Sequence, residues 1–434
     1  MSKFKFELLH QDKTTQARVG KIHTPHGDIQ TPAFVPVGTQ ATVKSLTPDE
    51  LEALGVELFF VNTYHAYLRP GLEVIAKSGG LHKFMGWDKP LITDSGGFQV
   101  FSLAKKRYVN IAISESAVLD RETFTKNISK REAQKEHVYP DDYRPVGELV
   151  NIDDDGVTFT SHWDGLVHRF TPEVSIDIQH TLGADMIIAF DECAPYPTTQ
   201  AYAQKAMERT HRWAVRSLNH HRSRQGAKQA LYGVIQGSVF GDLRKESAKR
   251  ICAMDFDGYA IGGVAVGESK KEMAKVLDWV GPFLPEEKPR HLLGVGEIDD
   301  IFTLVAQGID TFDCVQPTRL ARMGILLVKN KQINKSDPLR RSLSEASKST
   351  NKKHQIDITK AQFALDSKPI EKGCPCYTCS HFSRAYLHHL FRVKELLGYR
   401  LATIHNISQV EMLVARIRES LIAGTFAELT KEWV

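Results

Sequence analysis

Eight short apolar runs recur along the chain, each closed by glycine or a polar residue and separated from the next by an amphipathic segment. They are Ala33 to Val37, Glu57 to Val61, Pro90 to Thr93, Met186 to Phe190, Leu231 to Ile235, Gly258 to Ile261, His291 to Gly294 and Ile309 to Phe312. Helix-start signals stand between them. Thr47-Pro48-Asp49-Glu50 and Thr171-Pro172-Glu173 each offer a capping hydroxyl, a proline at the first helical position and an acid in the first turn. Gly55, Gly183 and Gly308 are the expected helix stops. Strands alternating with helices imply a parallel sheet, and eight such units favour a closed (β/α)8 TIM-type barrel over an open doubly wound sheet. Near the end, Ser408-Gln409-Val410-Glu411 reads as a capping box that opens the eighth helix, with Val410, Leu413, Val414, Ile417 and Leu421 on its apolar face.

Several runs end in a residue that carries chemistry: Asp94, Asp191, Gln236, Gly262-Gly263 and Asp313. In a barrel these ends converge on one face, where side chains from different strands meet. Any one aspartate there is equally a loop cap; five polar ends on one face point to a site.

A second motif is Cys374-Pro375-Cys376-Tyr377-Thr378-Cys379, followed by His405. Three cysteines at this spacing and a histidine supply four soft ligands, the requirement of a structural zinc site with no position left open for chemistry. One Zn2+ per chain is expected, held by Cys374, Cys376, Cys379 and His405, with catalysis elsewhere.

With 434 residues, 42% hydrophobic and 25% charged, the chain can bury a barrel-sized core plus an appendage. The expected division is a barrel over residues 1–365 and a zinc-binding subdomain with the closing helix over 366–434. Met1 to Gly20 is polar, with no apolar core of a signal or anchor, and no apolar run approaches the roughly 20 residues that span a bilayer. A cytoplasmic protein with no membrane partner is expected. Two stretches break the alternation and read as loop insertions. One runs from about Lys105 to Asn151 and is followed by Gly156-Val157-Thr158-Phe159, whose alternation suggests a small antiparallel hairpin. The other, Lys329 to Lys353, holds eight Lys/Arg against Asp337 and Glu345, a net +6 in a chain of net +4. It is either a solvated loop or a phosphate-contacting arm for nucleic acid.

The motifs Val61-Asn62-Thr63-Tyr64-His65, Asp94-Ser95-Gly96-Gly97-Phe98-Gln99-Val100, Phe190-Asp191-Glu192-Cys193, Ile261-Gly262-Gly263, Gly267-Glu268 and Phe312-Asp313-Cys314-Val315, with the zinc quartet, resemble the tRNA-guanine transglycosylase (queuine tRNA-ribosyltransferase) family in its bacterial form. The resemblance implies a barrel enzyme that exchanges the wobble guanine of GUN-anticodon tRNAs for a 7-deazaguanine base. It implies Asp313 as nucleophile and Asp94 as general acid/base. Asp191, Gln236 and the Gly263 backbone would bind the base, with Phe98 stacking on it. Val264 would face the 7-substituent, Glu268 would support the backbone there, and Arg319 and Arg322 would touch RNA phosphates near the anticodon loop. A homodimer with its zinc subdomain near the interface is also implied. The residue types suit the chemistry: an ionised Asp can attack C1′, and a second carboxyl can protonate the leaving base and deprotonate the incoming one. The chain departs from the family pattern at Val264, Ser238 and Gln316, where the family commonly has Leu, Gly and Leu.

Cys193 and Val266 imply a compact wall at the 7-position, so 7-aminomethyl-7-deazaguanine is the expected incoming base, with queuine the alternative. A non-catalytic tRNA-binding subunit and a sugar-phosphate barrel enzyme using Gly262-Gly263 as a phosphate cradle are the other readings.

Overall fold

A computed structural model describes residues 4–100, 150–161, 163–224, 226, 228–329 and 354–434. Most of both expected insertions, including nearly all of the basic stretch after Lys329, lies outside the described residues.

All eight apolar runs are strands of one closed barrel, in chain order: β4 (Ala33–Gly38), β5 (Phe59–Val61), β6 (Leu91–Thr93), β10 (Met186–Ile188), β11 (Ala230–Ile235), β12 (Gly258–Ile261), β13 (Arg290–Leu292) and β14 (Thr311–Cys314). Every pairing is parallel, and β14 closes on β4 through Thr311 opposite Ala33 and Cys314 opposite Pro36. The period of two along each strand divides the apolar residues into two cores. Ala33, Val35 and Val37 join Phe60, Ile92, Met186, Ile188, Tyr232, Val234 and Ala260 inside the barrel. Their alternates Phe34, Phe59, Leu91, Ile187, Leu231, Ile235 and Ile261 pack outward among the helices.

An antiparallel sheet of β1 (Lys5–Gln11), β2 (Arg18–Thr24) and β3 (Gly27–Thr31) precedes the barrel. Phe6, Ile22 and Ile29 join the interior core, so this sheet closes the floor formed by the N-terminal ends of the strands. The alternation at Val157 to Phe159 is part of a second antiparallel sheet, β7 (Val150–Ile152), β8 (Val157–Thr160) and β9 (Val167–Phe170), which has one strand more than the expected hairpin.

Two of the predicted helix starts hold. Thr47 and Glu50 form a reciprocal capping box, and Thr171 caps the helix Pro172–Leu182, which ends on left-handed Gly183. The reading of Ser408 as a helix start is corrected. One continuous helix, Leu396–Ala423, runs through it, and Ser408 is buried in its middle. Polar residues in this stretch face inward rather than marking an end: Asn406 accepts from the Leu327 amide at 2.8 Å and donates to the Pro317 and Ile325 carbonyls at 3.0 Å. The apolar face from Val410 to Leu421 is buried as expected. Around the cysteine motif, β15 (Ile325–Leu327) pairs antiparallel with β16 (Gln355–Asp357), and a separate core gathers Leu326, Ile358, Phe363, Ile370, Leu387, Leu390 and Leu401.

Candidate active site and metal centre

The alternation that fills the barrel also aims its polar ends. Asp94 follows inward Ile92 by two residues, Gln236 follows inward Val234 by two, and Asp313 stands two beyond Thr311 on β14. All three side chains therefore face the axis at the C-terminal mouth of the barrel.

The loop after β5 holds the Asp94 carboxylate: Asn62 Nδ2 donates to Oδ2 and the Thr63 amide to Oδ1, both at 2.7 Å. Burial, with the charge of Asp313 added, pushes Asp94 up to about 7 despite the Thr63 bond. A carboxyl poised there exchanges protons readily at neutral pH. Asp313 is buried and receives the Gly294 amide at 2.9 Å on Oδ1. His291 Nε2 lies 3.2 Å from the same oxygen, and its Nδ1 lies 2.8 Å from Thr311 Oγ1.

Asp191 and Gln236 meet directly, with Gln236 Nε2 donating to Asp191 Oδ2 at 2.7 Å and Ser95 Oγ to Oδ1 at 3.0 Å. Burial raises the Asp191 carboxyl, while these two bonds hold it down. Gly262 and Gly263 lie against the same amide. A Cβ on Gly262 would come 2.5 Å from Gln236 Nε2, and one on Gly263, whose φ is +63°, would come 2.6 Å from Gln236 Oε1. The glycine pair is thus the space in which the glutamine amide sits, and it offers no free phosphate cradle. Buried Arg244 ties this wall together, donating to the Ile235 carbonyl at 2.9 Å, the Ser238 carbonyl at 2.6 Å and the Gly263 carbonyl at 2.8 Å. Ser238 has φ +51°, the left-handed region that suits glycine.

Beside this recess, Val264 is buried. Glu268 Oε2 accepts from the Val266 amide at 2.7 Å, a backbone-supporting contact of the kind expected of it. Phe98, four residues after Asp94, exposes 43% of its surface. Arg319 and Arg322 lie on the helix Gln316–Arg322 directly after β14; Arg319 is exposed, and Arg322 donates to the Thr318 carbonyl at 2.8 Å. Gln316 bonds Glu297 at 2.5 Å.

The four soft ligands also come together, with donor atoms of Cys374, Cys376, Cys379 and His405 within 4.8 Å of one another. Cys376 Sγ and Cys379 Sγ each lie 3.4 Å from His405 Nδ1. His405 Nε2 lies 2.7 Å from the Leu327 carbonyl, which can only accept, so Nε2 carries the hydrogen and Nδ1 turns its lone pair to the sulfurs. Gln409 Nε2 donates to Cys374 Sγ at 3.2 Å. Tetrahedral zinc bonds of about 2.0–2.3 Å require donor separations of about 3.5 Å, and this set fits.

A family model described as queuine tRNA-ribosyltransferase matches residues 12–131 and 141–434. The chain belongs to this family. Among similar proteins, the queuine tRNA-ribosyltransferase of Herpetosiphon aurantiacus is 44% identical over 434 residues, covering 100% of this chain and 93% of that protein. Those of Thermoanaerobacter pseudethanolicus and Caldanaerobacter subterraneus are 43% and 42% identical, each across 100% of this chain and covering 97% and 98% of theirs.

Within this queuine tRNA-ribosyltransferase fold, three supporting residues escape a reading of sequence. His291 falls inside an apolar run, and only the pairing of β13 with β14 sets it beside Asp313. Arg244 sits in the amphipathic helix Gly241–Cys252, where an arginine normally faces solvent. Ser95 is the one legible in retrospect, since it follows Asp94 directly and its hydroxyl turns to Asp191.

Proposed function

We propose that the barrel mouth exchanges the wobble guanine of GUN-anticodon tRNAs for 7-aminomethyl-7-deazaguanine, by double displacement through a ribosyl ester on Asp313. Exchange of guanine in tRNA on the route to queuosine is the family's activity. The observation that carries the reading is the pair of unlike carboxyls: Asp313 held by the Gly294 amide, and Asp94 pushed up to about 7 by burial first and by the charge of Asp313 second. Asp313 attacks C1′ from the face opposite the base, and the C1′–N9 bond breaks as Asp94 supplies a proton to the departing guanine. Asp94 then takes a proton from the incoming base, whose nitrogen displaces Asp313 and restores the original configuration. Asp191 would accept from the N1–H and exocyclic amine. Gln236 has one amide hydrogen on Asp191 and a second for O6. A loop nucleotide unstacks into such a pocket at small cost.

Phe98 would stack on the base, and Arg319 and Arg322 would meet backbone phosphates. The Cys374, Cys376, Cys379 and His405 set would hold one structural Zn2+, which supplies folding energy and no chemistry at the mouth. Among the described residues no helix is long and apolar enough to cross a membrane. The reading places the enzyme in the cytoplasm as a homodimer, supported by the apolar side chains that Leu365, Val393 and Leu396 leave exposed at 95%, 52% and 80% near the metal subdomain.

The preference for the aminomethyl base rests on Glu268, which holds the Val266 amide and so orders backbone carbonyls beside Val264 for a cationic donor. The test is exchange of radiolabelled guanine in unmodified tRNA chased with each base. A higher kcat/KM for 7-aminomethyl-7-deazaguanine is expected; a higher value for queuine makes this a salvage enzyme.

A further inference from the structure

Asp191 is followed directly by a second buried carboxylate that the proposed chemistry does not use. Asp191 meets Gln236 and Ser95, whereas Glu192 turns into the long helix Gln200–Ser223. There Tyr202 Oη donates to Glu192 Oε1 at 2.8 Å, and Arg209 Nη1 donates to Oε2. Both partners of the ion pair are buried.

The same helix holds the backbone on either side of Asp191. The Phe190 amide donates to Ser217 Oγ at 3.3 Å, and the Glu192 amide donates to Thr210 Oγ1 at 3.0 Å. Tyr202, Arg209, Trp213 and Ser217 recur at helical spacing on one face, and Trp213 packs on the Phe190 ring with centroids 4.8 Å apart. Asp154, in the turn between β7 and β8, braces this face from outside. Its Oδ1 accepts from Arg209 Nε at 3.3 Å and its carbonyl from Trp213 Nε1 at 2.8 Å.

We infer that Glu192, clamped by Tyr202 and Arg209, is a positioning residue for base recognition, fixing the direction in which Asp191 presents its carboxylate to the base. The inference rests on the base-binding role proposed for Asp191. Each Asp191 oxygen already accepts one bond, so the lone pairs left for a base are few and their direction follows the backbone. A buried ion pair adds little net stability over apolar side chains of the same volume; what this one supplies is geometry. Arg209 also neutralises Glu192. Without it, two consecutive buried carboxylates repel, and Asp191 is pushed towards a protonated form whose hydroxyl opposes the N–H groups of the base.

The test is exchange of radiolabelled guanine into unmodified tRNA by the full-length protein, with KM for guanine, KM for tRNA and kcat measured separately. Tyr202→Phe removes one hydroxyl from a ring that is 38% exposed, and should raise KM for guanine about three- to tenfold. Glu192→Gln should raise it at least about tenfold. In both, kcat at saturating guanine and KM for tRNA should stay within about twofold, the split expected when only base binding is lost. If Glu192→Gln fails to fold, Tyr202→Phe decides alone. An unchanged KM for guanine, or equal losses in kcat and tRNA binding, overturns the positioning role and leaves Glu192 a fold-holding residue. Asp191→Asn separates this inference from the reading beneath it. If that change leaves KM for guanine unaltered, the role of Asp191 falls and the inference with it; if it raises KM while the other variants do not, the inference alone falls.

Discussion

His291 Nε2 lies 3.2 Å from Asp313 Oδ1, reaching across from β13 to its neighbour β14, and the same oxygen receives the Gly294 amide at 2.9 Å. One carboxylate oxygen is thereby anchored twice, which fixes the direction of the other. In the proposed mechanism Asp313 is the nucleophile, and His291 would position it.

Replacing His291 with Phe should therefore lower kcat by about 10- to 100-fold, since a hydrogen bond to a charged group is worth about 1.5–3 kcal/mol. KM for tRNA should stay within about twofold, because His291 is fully buried beside Asp313 and cannot touch RNA. An unchanged kcat would remove the positioning role.

Asp313→Asn should abolish the covalent RNA adduct on a denaturing gel while tRNA affinity persists, because size is kept and the nucleophilic charge is lost. Asp94→Asn should slow exchange by about 10² to 10⁴, the range of a general acid/base. Adduct formed by the Asp313 variant would refute the assignment.

The position of Asp94 near 7 has two consequences with pH. In the proposed mechanism its protonated form serves the leaving guanine, so single-turnover adduct formation should hold up to about neutrality and fall above it, a limb absent from Asp94→Asn. Stability follows the same titration. The folded carboxyl binds its proton more tightly than the unfolded one, so this contribution is full below about 4, the unfolded value, and is lost as pH rises through about 7. Asp94→Asn should accordingly melt higher than the parent at pH 8, with the gap closing towards pH 4. A gap that does not change with pH would show that Asp94 does not titrate in this range.

Gly263→Ala brings two penalties together, a left-handed φ of +63° and a Cβ 2.6 Å from Gln236 Oε1. The glutamine amide must move off Asp191. KM for the incoming base should rise by at least about tenfold, with tRNA affinity little changed; equal KM values would separate Gly263 from base recognition.

Cys376→Ser should lower bound metal and folded yield together, because binding energy at a closed site is folding energy. A metal-free variant that remains folded and fully active would contradict a structural role.

All eight barrel strands and the ends carrying Asp94, Asp191, Gln236 and Asp313 were legible in the chain, because strand periodicity and turn chemistry are local properties. The Cys374, Cys376, Cys379 and His405 set was legible too: three of its members lie within six residues, and thiolates in such a cluster have few other uses. Tertiary structure alone decided what meets across the barrel. Ser408 looked like a helix start, yet the helix continues through it because Asn406 and its neighbours satisfy their polar groups against β15. His291 beside Asp313, Arg244 beneath Gly263, and His26 and His82 around Asp185 join residues that sequence holds apart. Such contacts arise when parallel strands with long crossovers close into a ring, a long-range event to which no local pattern in the sequence responds.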